Sequence, residues 1–317
     1  MTESLGLAPT NPQLQAIGRP CALARRFANA AGSRAYDLFV PIGRRNVPLS
    51  LVVMLHGCSQ SSRDFAIGTR MSELAEEMGF LVAYPDQPRS ANMAKSWNWF
   101  RDGDQRRDRG EPSIIAGLTR HVVNEFNVDP TRVYVAGLSS GGAAAAVMAV
   151  TYPDLYAGVG IHSGLACGSA ASMTGALLAM RRGASSRPRR ATHSVPTIVF
   201  HGDRDTTVSP VNADQAIAQA QPDAELDIAT DQGRSDGGTA YTRTVLSRPD
   251  GTWSSEQWVL HGARHAWSGG HPAGSHTDPA GPDASREMLR FFMAHPMGRA
   301  SDHIDDRRLP TGEAMNA

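Results

Sequence analysis

The chain has 317 residues, enough for one large α/β domain or two smaller ones. Hydrophobic residues make up 41% of it and charged residues 20%, so a core of normal size can be buried. The 31 basic and 31 acidic residues balance, which argues against a nucleic-acid partner or a membrane-binding patch.

Short apolar runs alternate with segments of helical spacing along most of the chain. Residues 1–30 are rich in Pro, Ala and Arg without clear periodicity, and we predict a loosely ordered arm there. The predicted strands are 35–41, 49–56, 80–84, 132–136, 157–162, 196–201, 241–247 and 256–260. The predicted helices are 64–79, 113–126, 140–151, 212–221 and 284–294. Residues 299–317 are polar and are predicted to be a frayed tail.

The alternation of strands and helices predicts an α/β protein with a mostly parallel central sheet and helices on both faces. No repeat or linker divides residues 31–298, so we expect one domain there. Residues 164–193 are rich in small and basic side chains. We interpret them as an insertion at the carboxyl side of the sheet that contributes to a substrate cleft.

A glycine-rich motif joins the predicted strand 132–136 to the predicted helix 140–151. Residues 137–141 read G-L-S-S-G, a G-x-S-x-G sequence in the strand–turn–helix context of an α/β-hydrolase nucleophile elbow. The tight turn exposes the central hydroxyl, so Ser139 is the predicted nucleophile. Ser140 is the alternative, but it lies off the centre of the motif. Its backbone N–H, at the start of a helix, is a predicted oxyanion donor.

The acid of a serine–acid–histidine triad is expected on a loop that follows a later strand. After strand 196–201 the chain reads G-D-R-D-T-T-V, with Asp203 and Asp205 as candidates. We favour Asp205, because an H-G-x-x-D-x-x-V run usually directs its second acid to the histidine. Asp203 would then cap the loop. The alternative is that both residues only form turns.

The base is expected third in chain order, which favours His265 in the glycine-bounded loop after strand 256–260. His261 is the alternative, but we expect it to belong to the strand. In the predicted mechanism His265 accepts the Ser139 proton as the hydroxyl attacks an ester carbonyl. Asp205 fixes the tautomer of the imidazole, and water then hydrolyses the acyl-enzyme.

An H-G dipeptide ends the first buried strand, and the backbone N–H of the next residue, Cys58, is the second predicted oxyanion donor. A simple tight turn is the alternative. Trp97 and Trp99 lie in an S-W-N-W-F run that predicts either a pocket wall or a core cluster. Trp267 lies two residues after His265 and is also a predicted substrate-binding residue.

The three cysteines, Cys21, Cys58 and Cys167, are too few for a disulfide framework and form no C-x-x-C pair. We therefore expect no structural zinc, and the mechanism needs no cofactor. No run of about 20 apolar residues and no leader-like N-terminus is present. The sequence as given predicts a cytoplasmic protein without a membrane span, or a secreted one if a leader was removed.

Six ordered motifs together resemble the polyhydroxybutyrate depolymerase family of esterases. The motifs are LHGCSQ, SWNWF, YVAGLSSGG, IHSGLACG, VFHGDRDTTV and HAWSGG, and the resemblance runs over residues 26–293. It implies one α/β-hydrolase catalytic domain over residues 31–298 and hydrolysis of short-chain 3-hydroxybutyrate polymers or oligomers. It carries the roles of nucleophile, acid and base onto Ser139, Asp205 and His265. Similar families include feruloyl and acetylxylan esterases, so a carbohydrate esterase or a general short-chain carboxylesterase is the alternative.

The chain departs from this family at one cysteine. Many members have a cysteine directly before W-N-W, and the resemblance implies that it pairs with the cysteine of L-H-G-C. Here that position is Ser96, so the resemblance implies a free thiol at Cys58. The separate substrate-binding regions of some secreted depolymerases are not seen either, which favours soluble esters over solid polymer as substrates.

Overall fold

The computed structural model describes residues 21–42, 47–185, 193–221, 225–251 and 253–298. The strands are β1 Cys21–Asn29, β2 Gly32–Val40, β3 Leu49–Leu55, β4 Leu81–Asp86, β5 Val128–Leu138, β6 Gly158–His162, β7 Thr197–Gly202, β8 Asp227–Arg234, β9 Ala240–Ser247, β10 Ser254–Leu260, β11 Trp267–Ser268 and β12 Thr277–Asp278. The helices are α1 Ser62–Thr69, α2 Met71–Met78, α3 Gly110–Glu125, α4 Ser140–Thr151, α5 Met173–Arg182, α6 Val211–Ala220 and α7 Ala284–Ala294.

In the described ranges, a ten-stranded sheet has the order β1-β2-β4-β3-β5-β6-β7-β10-β9-β8. The six strands from β4 to β10 in that order run parallel. The antiparallel pairs β1–β2 and β8–β9 lie at its two edges. The predicted mostly parallel sheet is therefore confirmed. The carboxyl ends of its central strands all lie on the same side of the molecule.

Helices cover both faces of this sheet, so the central strands are buried on both sides. Leu51, Val53 and Leu55 of β3 belong to a core cluster that also contains apolar residues of α3, α4 and α6. Val52 and Met54 belong to the opposite cluster, with residues of α1, α2 and α7. Successive side chains of a strand point to opposite faces. Burial on both faces therefore produces the continuous apolar run that made this strand recognisable.

The prediction of a loosely ordered arm over residues 1–30 is wrong for Cys21–Asn29. This segment forms β1 and pairs with β2 along all its length, from Cys21 opposite Val40 to Asn29 opposite Gly32. Leu23 and Phe27 pack against the core. The strand was missed because its alternation of small and large residues buries only a few apolar groups. Residues 1–20 of the predicted arm and residues 299–317 of the predicted tail lie outside the described residues.

Three further elements differ from the sequence-based expectation. The single helix predicted over 64–79 is two helices, because Arg70 adopts a left-handed conformation with φ of 55° that ends α1 before α2 begins. Strand β8 was not predicted, since nearly all its residues are exposed and leave no hydrophobic period to read. Residues 164–193 follow the carboxyl end of β6 as predicted, but they also contain the unpredicted helix α5.

Candidate active site

The candidate nucleophile lies on a strained turn between β5 and α4. Ser139 has φ of 56° and ψ of −116°, a conformation that non-glycine residues rarely adopt. Its N–H donates to the carbonyl oxygen of His162 at 2.8 Å. A Cβ atom on Gly141 would clash with the carbonyl oxygen of Leu55, and one on Gly137 would clash with Gly141. The close approach of β3 to the turn therefore requires glycine on both sides of Ser139.

The carboxyl ends of β7 and β10 carry the candidate acid and the candidate base. Oδ2 of Asp205 lies 2.6 Å from Nδ1 of His265. The other carboxylate oxygen, Oδ1, accepts the backbone N–H groups of Thr207 at 2.8 Å and Val208 at 2.9 Å. The side chain of Asp205 is fully buried, whereas 14% of the His265 side chain is exposed. The imidazole therefore reaches the surface while the carboxylate holds it from below.

The pKa of Asp205 lies well below its ordinary value. Burial by itself raises this pKa, but hydrogen bonds from His201 and His265 and from the Val208 amide outweigh burial and lower it. Nε2 of His201 is 3.4 Å from Oδ2 of Asp205 and 2.9 Å from the carbonyl oxygen of Val208. The carboxylate thus stays ionised over the neutral pH range and can stabilise a protonated His265.

The two alternative residues, Asp203 and His261, pair with each other instead. Oδ2 of Asp203 lies 3.0 Å from Nδ1 of His261, and Oδ1 accepts the N–H of Gly262 at 2.7 Å. Both side chains are exposed. His261 follows the end of β10 rather than belonging to it. Asp203 therefore caps the turn after β10, and Asp205 is the acid that contacts His265.

Two backbone N–H groups without an acceptor in the described part of the chain are candidates for an oxyanion site. In the loop after β3, the N–H of Gly57 donates to Gln60 at 2.8 Å and the N–H of Ser59 to Ala94 at 2.8 Å. The N–H of Cys58, between them, has no acceptor among the described residues. The N–H of Ser140 lies in the first turn of α4, where no intrahelical acceptor exists. Both groups can donate to a negatively charged ligand oxygen.

The buried ring of His56 supports the loop that contains Cys58. Its Nδ1 donates to the carbonyl oxygen of Gly57 at 2.8 Å, and its Nε2 accepts the N–H of Gln87 at 3.0 Å. Burial lowers the pKa of His56, which favours the neutral ring that this pattern of one donor and one acceptor requires. The loop conformation therefore depends on a neutral imidazole below it.

The substrate-binding role predicted for Trp97 and Trp267 is wrong, and for Trp97 the alternative of a core cluster holds. Trp97 has no exposed surface, and its indole N–H donates to the carbonyl oxygen of His56 at 3.0 Å. Trp267 is 1% exposed and donates to Oγ of Ser285 at 3.1 Å. An indole removes a large apolar area from water when its N–H finds an internal acceptor, which both residues achieve. Trp99 is 5% exposed, and its contact with substrate stays a prediction.

A buried carboxylate that the sequence reasoning missed holds the Trp97 loop. Glu111 accepts the N–H of Asn98 at 2.7 Å and the guanidinium of Arg34 at 3.0 Å, and also binds the amide of Gln87. Burial raises the pKa of Glu111, and these donors oppose that rise. Because this acid lies in the first turn of α3, it resembled an exposed helix-terminal residue in the sequence.

Cys58 is a free cysteine that is exposed to solvent. Its Sγ donates to the carbonyl oxygen of Ala94 at 3.2 Å, and Ser96 Oγ donates to the carbonyl oxygen of Trp97 at 3.0 Å. Hydrogen bonds to Glu111 and Ala94 thus hold the loops of Cys58 and Trp97, where Ser96 replaces the cysteine that would form a disulfide. Among the described residues, no group of His, Cys, Asp or Glu side chains is arranged so that it could hold a metal ion. The described helices also include none that is long and apolar enough to cross a membrane.

A loss of stability at mildly acidic pH is expected from His162, which has no exposed surface. Burial lowers its pKa to about 3, whereas a histidine in an unfolded chain titrates near 6.5. Below about pH 6.5 the unfolded chain gains a proton that the folded chain does not bind, so the free energy of unfolding decreases. Urea denaturation at about pH 8, 6 and 5 measures this decrease. The His162→Gln variant should show a smaller decrease, and an equal one would contradict the expectation.

Comparison with known proteins identifies related chains. A family model described as Esterase PHB depolymerase matches residues 34–239. The chain is 34% identical over 252 residues to the poly(3-hydroxyalkanoate) depolymerase C of Paucimonas lemoignei, covering 75% of this chain and 60% of the relative. It is 29% identical over 209 residues to acetylxylan esterase A of Talaromyces purpureogenus, covering 58% and 52%. The matched part thus spans between about half and 60% of the length of these curated relatives.

A solved structure has the same fold. The acetyl xylan esterase from Aspergillus awamori superposes with a TM-score of 0.66 at 20% sequence identity, covering 87% of this chain and all of that chain. The predicted α/β-hydrolase fold is therefore confirmed.

Proposed function

The chain belongs to the esterase family whose model is described as Esterase PHB depolymerase, and on that premise we propose that it is a serine esterase of hydroxyalkanoate esters. The proposed reaction is hydrolysis of short-chain polyhydroxyalkanoate polymers or oligomers, such as those of 3-hydroxybutyrate. The observation that carries this proposal is the 2.6 Å contact between Asp205 and His265 at the sheet edge that presents Ser139. This arrangement supports acyl transfer through a serine.

In the proposed mechanism Ser139 attacks the ester carbonyl while Nε2 of His265 accepts the hydroxyl proton. The ionised Asp205 stabilises the imidazolium that forms and keeps Nδ1 protonated. The N–H groups of Cys58 and Ser140 donate to the tetrahedral oxyanion, each contributing about 3 kcal/mol to transition-state stabilisation. The imidazolium then gives its proton to the departing alcohol.

Water completes the proposed cycle. His265 removes a proton from a water molecule that attacks the acyl group on Ser139. The imidazolium then returns that proton to Oγ of Ser139 as the bond between Oγ and the acyl carbon breaks, and the carboxylic acid product leaves. Every group that this mechanism requires is a side chain or backbone N–H of the chain itself. Neither a metal ion nor an organic cofactor takes part in any step.

Two comparisons bear on the acyl and alcohol parts of the substrate. The 34% identity to a poly(3-hydroxyalkanoate) depolymerase extends over 252 residues, which favours the hydroxyalkanoate proposal. The acetylxylan esterase of Talaromyces purpureogenus is similar over 209 residues, which favours a carbohydrate ester as the second candidate. The two candidates differ in the alcohol that leaves: a hydroxyacid chain end in one, a sugar hydroxyl in the other.

A substrate panel is expected to show higher kcat/KM for hydroxybutyrate oligomers than for methyl ferulate or acetylated xylan. The physical reason is that specificity is a difference in transition-state binding between competing substrates, so parallel kcat/KM values measure it directly. Product acid would be titrated for each ester under identical conditions, with Ser139→Ala as the background control. A clear preference for methyl ferulate or acetylated xylan would replace the first candidate with the second.

A further inference from the structure

We propose that His162 is a positioning residue that holds the candidate nucleophile and the loop of the candidate base at a fixed distance from each other. This inference rests on the proposed function. The carbonyl oxygen of His162 accepts the N–H of Ser139 at 2.8 Å. Its ring Nε2 accepts the N–H of Ser268 at 3.0 Å, three residues after His265. One residue thus binds the backbone at both positions.

The base loop needs this acceptor because of the hydrogen-bond pattern of β11. The N–H of Trp267 donates to the carbonyl oxygen of His276, and the N–H of Gly269 donates to the carbonyl oxygen of Asp278 in β12. The N–H of Ser268, between them, points to the opposite side, where its acceptor is the imidazole of His162. A buried backbone N–H without an acceptor costs free energy. The hydrogen bond to the imidazole therefore stabilises the loop in this position.

The surroundings of His162 keep its ring neutral and immobile. Its Nδ1 donates to Oγ of Ser163 at 3.1 Å, which leaves Nε2 as the acceptor. The ring stacks against Phe200, at a centroid distance of 5.8 Å, and against Trp267, at 5.1 Å.

The titratable groups that face this ring are His201, His265 and Asp205. Burial, with a smaller contribution from the two histidines, lowers the pKa of His162 to about 3, so Nε2 accepts at every pH at which the enzyme is expected to work.

Loss of the acceptor should affect turnover more than substrate binding. Without it, the N–H of Ser268 has to find another partner, and the loop that contains His265 shifts away from Ser139. A shift of about 1 Å between reacting groups reduces a rate by about 100-fold.

Four variants separate this role from a purely structural one. His162→Phe keeps an aromatic ring but removes the acceptor, whereas His162→Gln keeps a polar atom near the position of Nε2. His295→Phe is the matched control. His295 is a half-buried, hydrogen-bonded histidine against Phe291, and its partner Ser254 begins β10 at the opposite end of that strand from the site. Ser139→Ala reports on the proposed function itself.

With p-nitrophenyl butyrate, His162→Phe is expected to lower kcat by about 10- to 100-fold with KM changed less than about twofold. Rates are divided by the folded fraction that circular dichroism measures, so a uniform loss of folded protein would leave this kcat unchanged. His162→Gln should recover most of the loss, and His295→Phe should keep the wild-type kcat. If His162→Phe is insoluble, His162→Met, which is smaller, replaces it in the same measurements.

A wild-type kcat in folded His162→Phe, or a kcat in His162→Gln as low as in His162→Phe, would overturn the positioning role. So would a loss of activity in His162→Phe that a lower folded fraction accounts for completely. Activity that survives in Ser139→Ala contradicts the proposed function instead. An inactive Ser139→Ala beside a fully active His162→Phe refutes only the inference about His162.

Discussion

Ser139→Ala is expected to lower kcat on p-nitrophenyl butyrate by about 10⁴- to 10⁶-fold. The hydroxyl is the only group at the turn between β5 and α4 that we propose to bond covalently to the acyl carbon. Alanine removes that oxygen and leaves the backbone N–H of Cys58 and Ser140 in place. The small remaining rate would come from oxyanion stabilisation of direct water attack. Initial rates over a range of enzyme concentrations measure this effect.

Ser50→Ala is the matched control for this substitution. Ser50 is a buried serine near the amino end of β3, where its Oγ contacts the sulfur of Met293, so it tests the loss of a buried hydroxyl away from the site. It should retain the wild-type kcat. Rates that survive in Ser139→Ala would show that the nucleophile is another residue, and Ser140→Ala would then test the alternative in the same motif.

Asp205→Asn is expected to lower kcat by about 10⁴-fold, with Asp203→Asn changing it by only a few-fold. The asparagine amide cannot provide the charge that stabilises a protonated His265, and it favours the wrong tautomer of the imidazole. The backbone N–H groups of Thr207 and Val208 would still hold the oxygen of the new side chain, so the fold should persist.

Asp203→Asn is a close control, because Asp203 lies two residues away and also pairs with a histidine. That pair is exposed, and exposed ion pairs contribute roughly 0–1 kcal/mol to stability. Circular dichroism of both variants would establish that each is folded before the rates are compared. A large loss in Asp203→Asn with a mild effect of Asp205→Asn would exchange the two assignments.

The order and type of the central elements could be predicted from local sequence alone. Strand β3 shows a continuous apolar run because the sheet buries both of its faces, and α4 begins and ends at the residues that its pattern predicted. The G-x-S-x-G sequence also identified the turn at Ser139, because only glycine tolerates the backbone contacts beside it. These features depend on residues close together in the chain, so they can be read without knowledge of the fold.

Residues distant in the sequence decided the rest. The sequence favoured Asp205 over Asp203 as the acid, and the path of two loops places Asp205 against His265. Trp97 is in the core because the carbonyl oxygen of His56 accepts its N–H.

The support below the site likewise depends on tertiary contacts. Glu111 and His162 bind backbone groups of other loops, and neither pattern is visible in the local sequence. The sequence therefore determined the central strands, most of the helices that cover them and the turn at Ser139. Only the tertiary structure decided which polar groups meet, because burial requires each of them to find a partner and the fold determines which partners are in reach.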